Sequence, residues 1–148
     1  NTVSPLKSSK SPGSGACTML FSRLKHACIV RLMSNKANPH ETWTSERCFI
    51  TELLNDAAYP EVSIARARVE PGVTTQLHTL DVAEWYVIES GIGRMSVGRD
   101  APRLVGPGDV VTIPADCPQK IENHGESDLE FLCVCTPRFL LQHYTSLE

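Results

Sequence analysis

The sequence predicts an all-β protein, with short antiparallel strands closed into a sandwich or barrel. Three observations predict it. From about Glu46 onward, runs of alternating apolar and polar residues recur at short, regular intervals. Each run ends in a cluster of Gly, Pro, Asn or Asp, the residues that turn a chain. The 10 prolines fall at these breaks or near the start of the chain, which disfavours long helices.

Taken in order, Arg47–Leu54 is the first expected strand and Asn55–Pro60 its turn. Val62–Val69 alternates Val62, Ile64, Arg66 and Arg68 against Ser63, Ala65, Ala67 and Val69, and Pro71-Gly72 closes it. Thr74–Leu80 and Glu84–Glu89 follow, then Gly93–Val97 after Gly91. Arg103–Val105, Val110–Ile113, Gln119–Asn123 and Leu129–Cys135 complete the set. Their separators are Gly106–Asp109, Pro114–Pro118 and His124–Asp128. Phe139–Tyr144 is expected to form one terminal helical turn, and Lys36–Thr44 to be a linker.

With 148 residues the chain is long enough for one sizeable core. A net charge of -3 gives no case for nucleic acid or an anionic membrane as partner. The charge is uneven, however. Residues 1–40 carry Lys7, Lys10, Arg23, Lys25, Arg31 and Lys36 and no acid, so all 17 acids lie downstream. This basic, Ser-rich stretch reads either as a transit peptide or as an arm that packs on a partner subunit. No segment suits a transmembrane helix: the apolar run Ala27–Met33 is short and contains Arg31. Cys17, Cys28, Cys48, Cys117, Cys133 and Cys135 show no CxxC pair and no framework spacing, so reduced thiols and a cytoplasmic setting are expected.

The polar residues with chemical potential sit at defined strand positions. His78 and Leu80 are two apart and share a face, as do Glu84, Tyr86 and Ile88 on the next strand. Pro114 and Pro118 bracket a turn that delivers Gln119 onto a strand with Ile121 and Asn123. A closed barrel would bring His78, Glu84 and Gln119 together.

At this point a family resemblance emerges. Residues 71–91 resemble the first motif of cupins, in which a glycine is followed by two histidines, a glutamate and a glycine. Residues 108–123 resemble the second, in which glycine, proline, glycine, histidine and asparagine recur. The tail Phe131–Phe139 is also similar to that of small single-domain cupins. The resemblance implies a jelly-roll barrel, the double-stranded β-helix, over residues 41–148, with 1–40 as an extension foreign to the family. It also implies a metal held by three histidines and a glutamate. Here His78 occupies the first histidine position, Leu80 replaces the second, Glu84 keeps the carboxylate and Gln119 replaces the third histidine. Asp116 stands in place of a glycine.

Several readings follow. His78, Glu84 and Gln119 could hold one divalent ion (Fe, Mn, Ni or Zn), though less tightly than a full histidine set. Alternatively, His78 and Glu84 form a hydrogen-bonded pair in a polar pocket. Gln119 is a third ligand, a donor to substrate or a relic of the lost histidine. Tyr86 and Glu84 are the acid–base candidates, and the alternative for Tyr86 is a core position with its hydroxyl at a rim. Arg66 either binds an anionic ligand group or belongs to a solvated strand face.

The fold hosts many chemistries and plain binders, so function is argued from the site. The expectation is a small-molecule-binding protein with its pocket in the barrel lumen, assembled as a homodimer. The alternative is a metal-dependent isomerase, dioxygenase or lyase acting on a small polar or anionic metabolite. A structural subunit docked through its basic arm is a third reading.

Overall fold

A computed structural model describes residues 40–148. Apart from His40, the basic extension expected over 1–40 lies outside the described residues. Eleven strands run through the described chain: β1 (Thr42–Trp43), β2 (Phe49–Leu54), β3 (Ser63–Val69), β4 (His78–Leu80), β5 (Ala83–Ser90), β6 (Gly93–Val97), β7 (Arg103–Val105), β8 (Val110–Ile113), β9 (Gln119–Asn123), β10 (Leu129–Thr136) and β11 (Tyr144–Ser146). They form two antiparallel sheets, ordered β1-β2-β3-β10-β5-β8 and β11-β4-β9-β6-β7.

Three elements differ from expectation. Thr42–Trp43, read as linker, pairs with Phe49 and Ile50 as a short edge strand. Trp43 packs edge-on against Phe49, which gives the hairpin its apolar contact. The expected turn at Phe139–Tyr144 exists as a single 3-10 turn at Leu141–His143, and the chain then straightens into β11. The expected strand Thr74–Leu80 pairs regularly only at His78–Leu80, after an isolated bridge from Thr74 to Glu122.

The core lies between the sheets. Val69, Ile88, Leu129 and Phe131 from the six-stranded sheet meet Met95 and Ile121 from the other, all nearly sealed from solvent. The buried residues fall at alternate positions, as a pleated strand requires. Two tight turns depend on left-handed backbone. Gly91 has φ 82°, and a Cβ there would lie 2.6 Å from the Asp128 carbonyl oxygen. Asp116 has φ 61°, a conformation Asp tolerates better than most residues, at the position where the resemblance expects glycine.

Strand register places the candidate site at one end of this sandwich. Across the larger sheet Ser63, Cys135, Glu84 and Ile113 form one transverse row. The next row is Glu52, Ala65, Cys133, Tyr86 and Val111. In the facing sheet His78 pairs with Gln119, which pairs with Val97. The two sheets therefore aim Glu84 and Tyr86 toward the level of His78 and Gln119.

Candidate functional site

Between these rows lies a chamber of about 100 Å³. Small side chains leave the space: Ala65, Ala67, Ser63, Cys48, Cys133 and Cys135 all line it. Its polar lining includes His78, Glu84, Tyr86, Glu46 and Glu52, with Asn55, Ser63, Thr75 and Tyr144 beside them. No lysine or arginine lines it.

Glu84 is buried at the inner end. It accepts a 2.7 Å hydrogen bond from Gln119 Nε2 and a long, weak one from the Cys135 thiol at 3.7 Å. Burial pushes its carboxyl up to about 7. The Gln119 and Cys135 bonds act in the opposite direction, and the Glu46 charge adds to the rise. Gln119 is wholly buried and does not line the chamber. Its amide nitrogen is committed to Glu84, and its Oε1 is sealed off with no partner among the described residues.

His78 is held from two sides. Its Nδ1 lies 2.8 Å from the Gln76 carbonyl oxygen, which can only accept, so Nδ1 carries a proton and Nε2 is the ring's free nitrogen. The Tyr144 ring stacks on the imidazole with centroids 4.8 Å apart. The Tyr144 hydroxyl in turn donates to Gln76 Oε1 at 2.6 Å, so one residue orients both rings.

Tyr86 packs on Phe131 with ring centroids 4.4 Å apart, and its hydroxyl has no partner among the described residues. Burial and the Glu84 charge raise its pKa well above the ordinary phenol value. Tyr86 is thus a neutral donor and no base at physiological pH.

Arg66 does not line the chamber. Its guanidinium lies on the outer face of β3, where Nε donates to Glu89 at 2.7 Å. Arg68, on the same face, is bound by Glu41 and Asp128 and covers Phe49. The structure thus brings His78, Glu84, Gln119 and Tyr86 together and leaves Arg66 outside.

Sequence reasoning missed Glu46, which arrives from the β1–β2 hairpin. Arg47 takes a left-handed φ of 65° there and spreads its guanidinium over the Thr74 and Thr75 carbonyls and the Glu148 carboxylate. The Glu46 carbonyl accepts from the Gln76 amide at 2.9 Å, which fixes the loop from its other side. The Glu46 carboxyl is left at the chamber with no hydrogen-bond or ion-pair partner among the described residues. Burial raises its pKa, partly offset by attraction to His78. Glu52 was missed too: it lines the chamber beside Ile50 and Leu54 but is exposed, accepts from Asn55 Nδ2 at 3.1 Å, and sits where the β2–β3 register slips.

Residues 65–135 match the Cupin_2 family, described as a cupin domain. An uncharacterized protein of Methanocaldococcus jannaschii is 34% identical over 124 residues, covering 81% of this chain and 96% of that protein. The oxalate decarboxylase of Bacillus subtilis, solved at pH 4.6, aligns at a TM-score of 0.66 and 22% identity over 75% of this chain. The chain spans only 30% of that decarboxylase. A cupin-2 domain from Rhodospirillum rubrum aligns at 0.56 and 24% identity, covering 70% of this chain and 65% of the other.

Proposed function

Since the chain belongs to the cupin family, we propose that its lumen is a binding chamber for a small, non-anionic molecule, without a resident metal ion. The observation that carries this reading is the mutual satisfaction of Glu84 and Gln119. A transition ion needs lone pairs directed at one point. Here the Gln119 group facing Glu84 is an NH₂, which has none to give. Leu80, buried and apolar, fills the second histidine position of the resemblance. Glu84, pushed up to about 7, sits in surroundings that favour a proton over a bare charge. Among the described residues no group of three or more His, Cys, Asp or Glu is placed to hold a metal ion.

As a binding chamber the same residues make sense. Nε2 of His78 and the Tyr86 hydroxyl are open hydrogen-bonding positions on a wall of mixed apolar and polar side chains, and a few placed polar groups among apolar ones are usual for a small-molecule site. Three carboxyls and no lysine or arginine on the lining disfavour an anion. The space is smaller than an engineered cavity of about 150 Å³ that holds benzene, so it suits a guest, or part of one, of about five non-hydrogen atoms.

The test uses protein purified without chelator. Elemental analysis should find Fe, Mn, Ni and Zn well below one equivalent. Titration with n-butanol should shift the backbone amide resonances of Ala65, Tyr86 and Cys133 in the wild type. Ala65→Leu, whose added carbons occupy the chamber, should remove those shifts. One tightly held equivalent of metal, lost in His78→Ala, would overturn the proposal.

A further inference from the structure

The chamber does not end at the wall described above. A second, more open cavity of about 460 Å³ adjoins it, lined by His40, Thr42, Thr44 and Leu141 among others. The two spaces share Glu46, Ile50, Glu52, Phe139 and Tyr144. These five residues form a neck, and its two charged members are both acids. No lysine or arginine lines either space.

Three facts at the neck point to a missing positive charge. Glu46 is half-buried, and its carboxyl has no hydrogen bond among the described residues, only the attraction of His78. A carboxylate in that position is costly unless a cation or a donor meets it. Its backbone is pinned on both sides, by Arg47 to the Thr74 and Thr75 carbonyls and by its own carbonyl to Gln76, which fixes the point from which the side chain extends. The Tyr144 and Phe139 rings flank the same opening, and aromatic faces attract organic cations. Independently of the acids, the Tyr86 hydroxyl, on a fully buried side chain, faces the inner chamber without a partner. It offers a hydrogen bond to whatever enters past the neck.

We infer that the neck binds a protonated organic amine, its ammonium between Glu46 and Glu52 and an uncharged segment in the inner chamber. This rests on the proposed binding role of the lumen and names the class of its ligand. The outer cavity gives room for a substituent beyond the ammonium, so secondary amines and longer chains fit as well as primary ones. The ammonium head donates to the carboxylates in charge-assisted hydrogen bonds, roughly twice as strong as neutral ones. An alkyl stem lies against Ala65, Ala67 and Cys133.

The experiment compares n-butylammonium, n-butanol and butyrate on the full chain at about pH 8, followed by amide shifts of Glu46, Ala65 and Cys133. Butylammonium should bind at least about tenfold more tightly than butanol, a difference of about 1.4 kcal/mol, and butyrate should bind least. Glu46→Gln should bring butylammonium down to the affinity of butanol while leaving butanol itself unchanged, which also shows that the variant is folded. Glu52→Gln should give a smaller loss in the same direction.

Equal affinities for the amine and the alcohol, or an amine preference that survives both substitutions, would overturn the ammonium site and leave the lumen reading standing. If none of the three probes perturbs the chamber amides, both fail together.

Discussion

Glu84→Gln is the substitution with the most to say about the site. In the folded protein the Glu84 carboxyl is pushed from 4.5 up to about 7. That difference corresponds to about 3 kcal/mol of penalty on the charged form. The folded state therefore holds this proton more tightly than the unfolded chain does. Below about pH 4.5 both states are protonated and the folded protein carries no charge penalty at this residue. As pH rises, the unfolded chain releases its proton first and stability falls, and the loss is complete above about 7.

Glutamine keeps the length of the side chain, and its amide oxygen can still accept from Gln119 Nε2 at the position where Glu84 does so at 2.7 Å. Urea unfolding at a series of pH values should show the variant gaining about 3 kcal/mol on the wild type between about pH 4.5 and pH 8. For a domain of this size that is roughly 1–3 M in the urea midpoint. Groups common to both proteins drop out of the difference to first order. Glu46 is the like charge that raises Glu84, so the comparison is repeated in a Glu46→Gln background, where the gain should shrink. A difference that does not change with pH would mean that Glu84 titrates as it does in water, and the account of a dry, proton-favouring chamber end would be refuted.

Other perturbations test the frame around the site. Gly91→Ala forces a side chain into left-handed backbone and onto the Asp128 carbonyl. It should cost at least about 2 kcal/mol in thermal or urea unfolding. Arg47→Ala removes the donors to the Thr74 and Thr75 carbonyls, worth about 1–2 kcal/mol together, whereas the exposed pair with Glu148 adds little. Hydrogen exchange should accelerate at the Gln76 and Leu77 amides, whose acceptors are Glu46 and Glu148. The double variant Leu80→His/Gln119→His supplies the missing imidazoles beside His78 and Glu84. It should retain about one equivalent of nickel or zinc through gel filtration where the wild type retains none.

The strands were legible because period-2 alternation is a local property. Glu84, Tyr86 and Ile88 read as one face from sequence alone, and His78 and Leu80 as another. The pairing of those faces was legible through motif order, which stands for a topology that no local pattern states. Glu46 was not legible. It is positioned by Arg47, whose partners lie 27, 28 and 101 residues away, and no window of sequence shows contacts at that separation. The spacing also could not say which end of the Gln119 amide meets Glu84, although that orientation divides a metal ligand from a supporting donor. Arg66 was ambiguous for a simpler reason. Alternation assigns two faces, but only the second sheet decides which is inner. Ala65 and Ala67 face it, and Arg66 is left with Glu89.

Several of the side chains bounding the inner space are already close to the smallest available. Alanine, serine and cysteine leave almost nothing to trim, so single replacements at Ala65, Ala67, Ser63, Cys48, Cys133 or Cys135 can do little except constrict. Descendants of this protein that come to accommodate bulkier compounds therefore gain room by shortening the larger lining residues, such as Ile50, Leu54 or Phe131, or outward past Glu46 and Tyr144, while the small-residue wall stays set by the backbone.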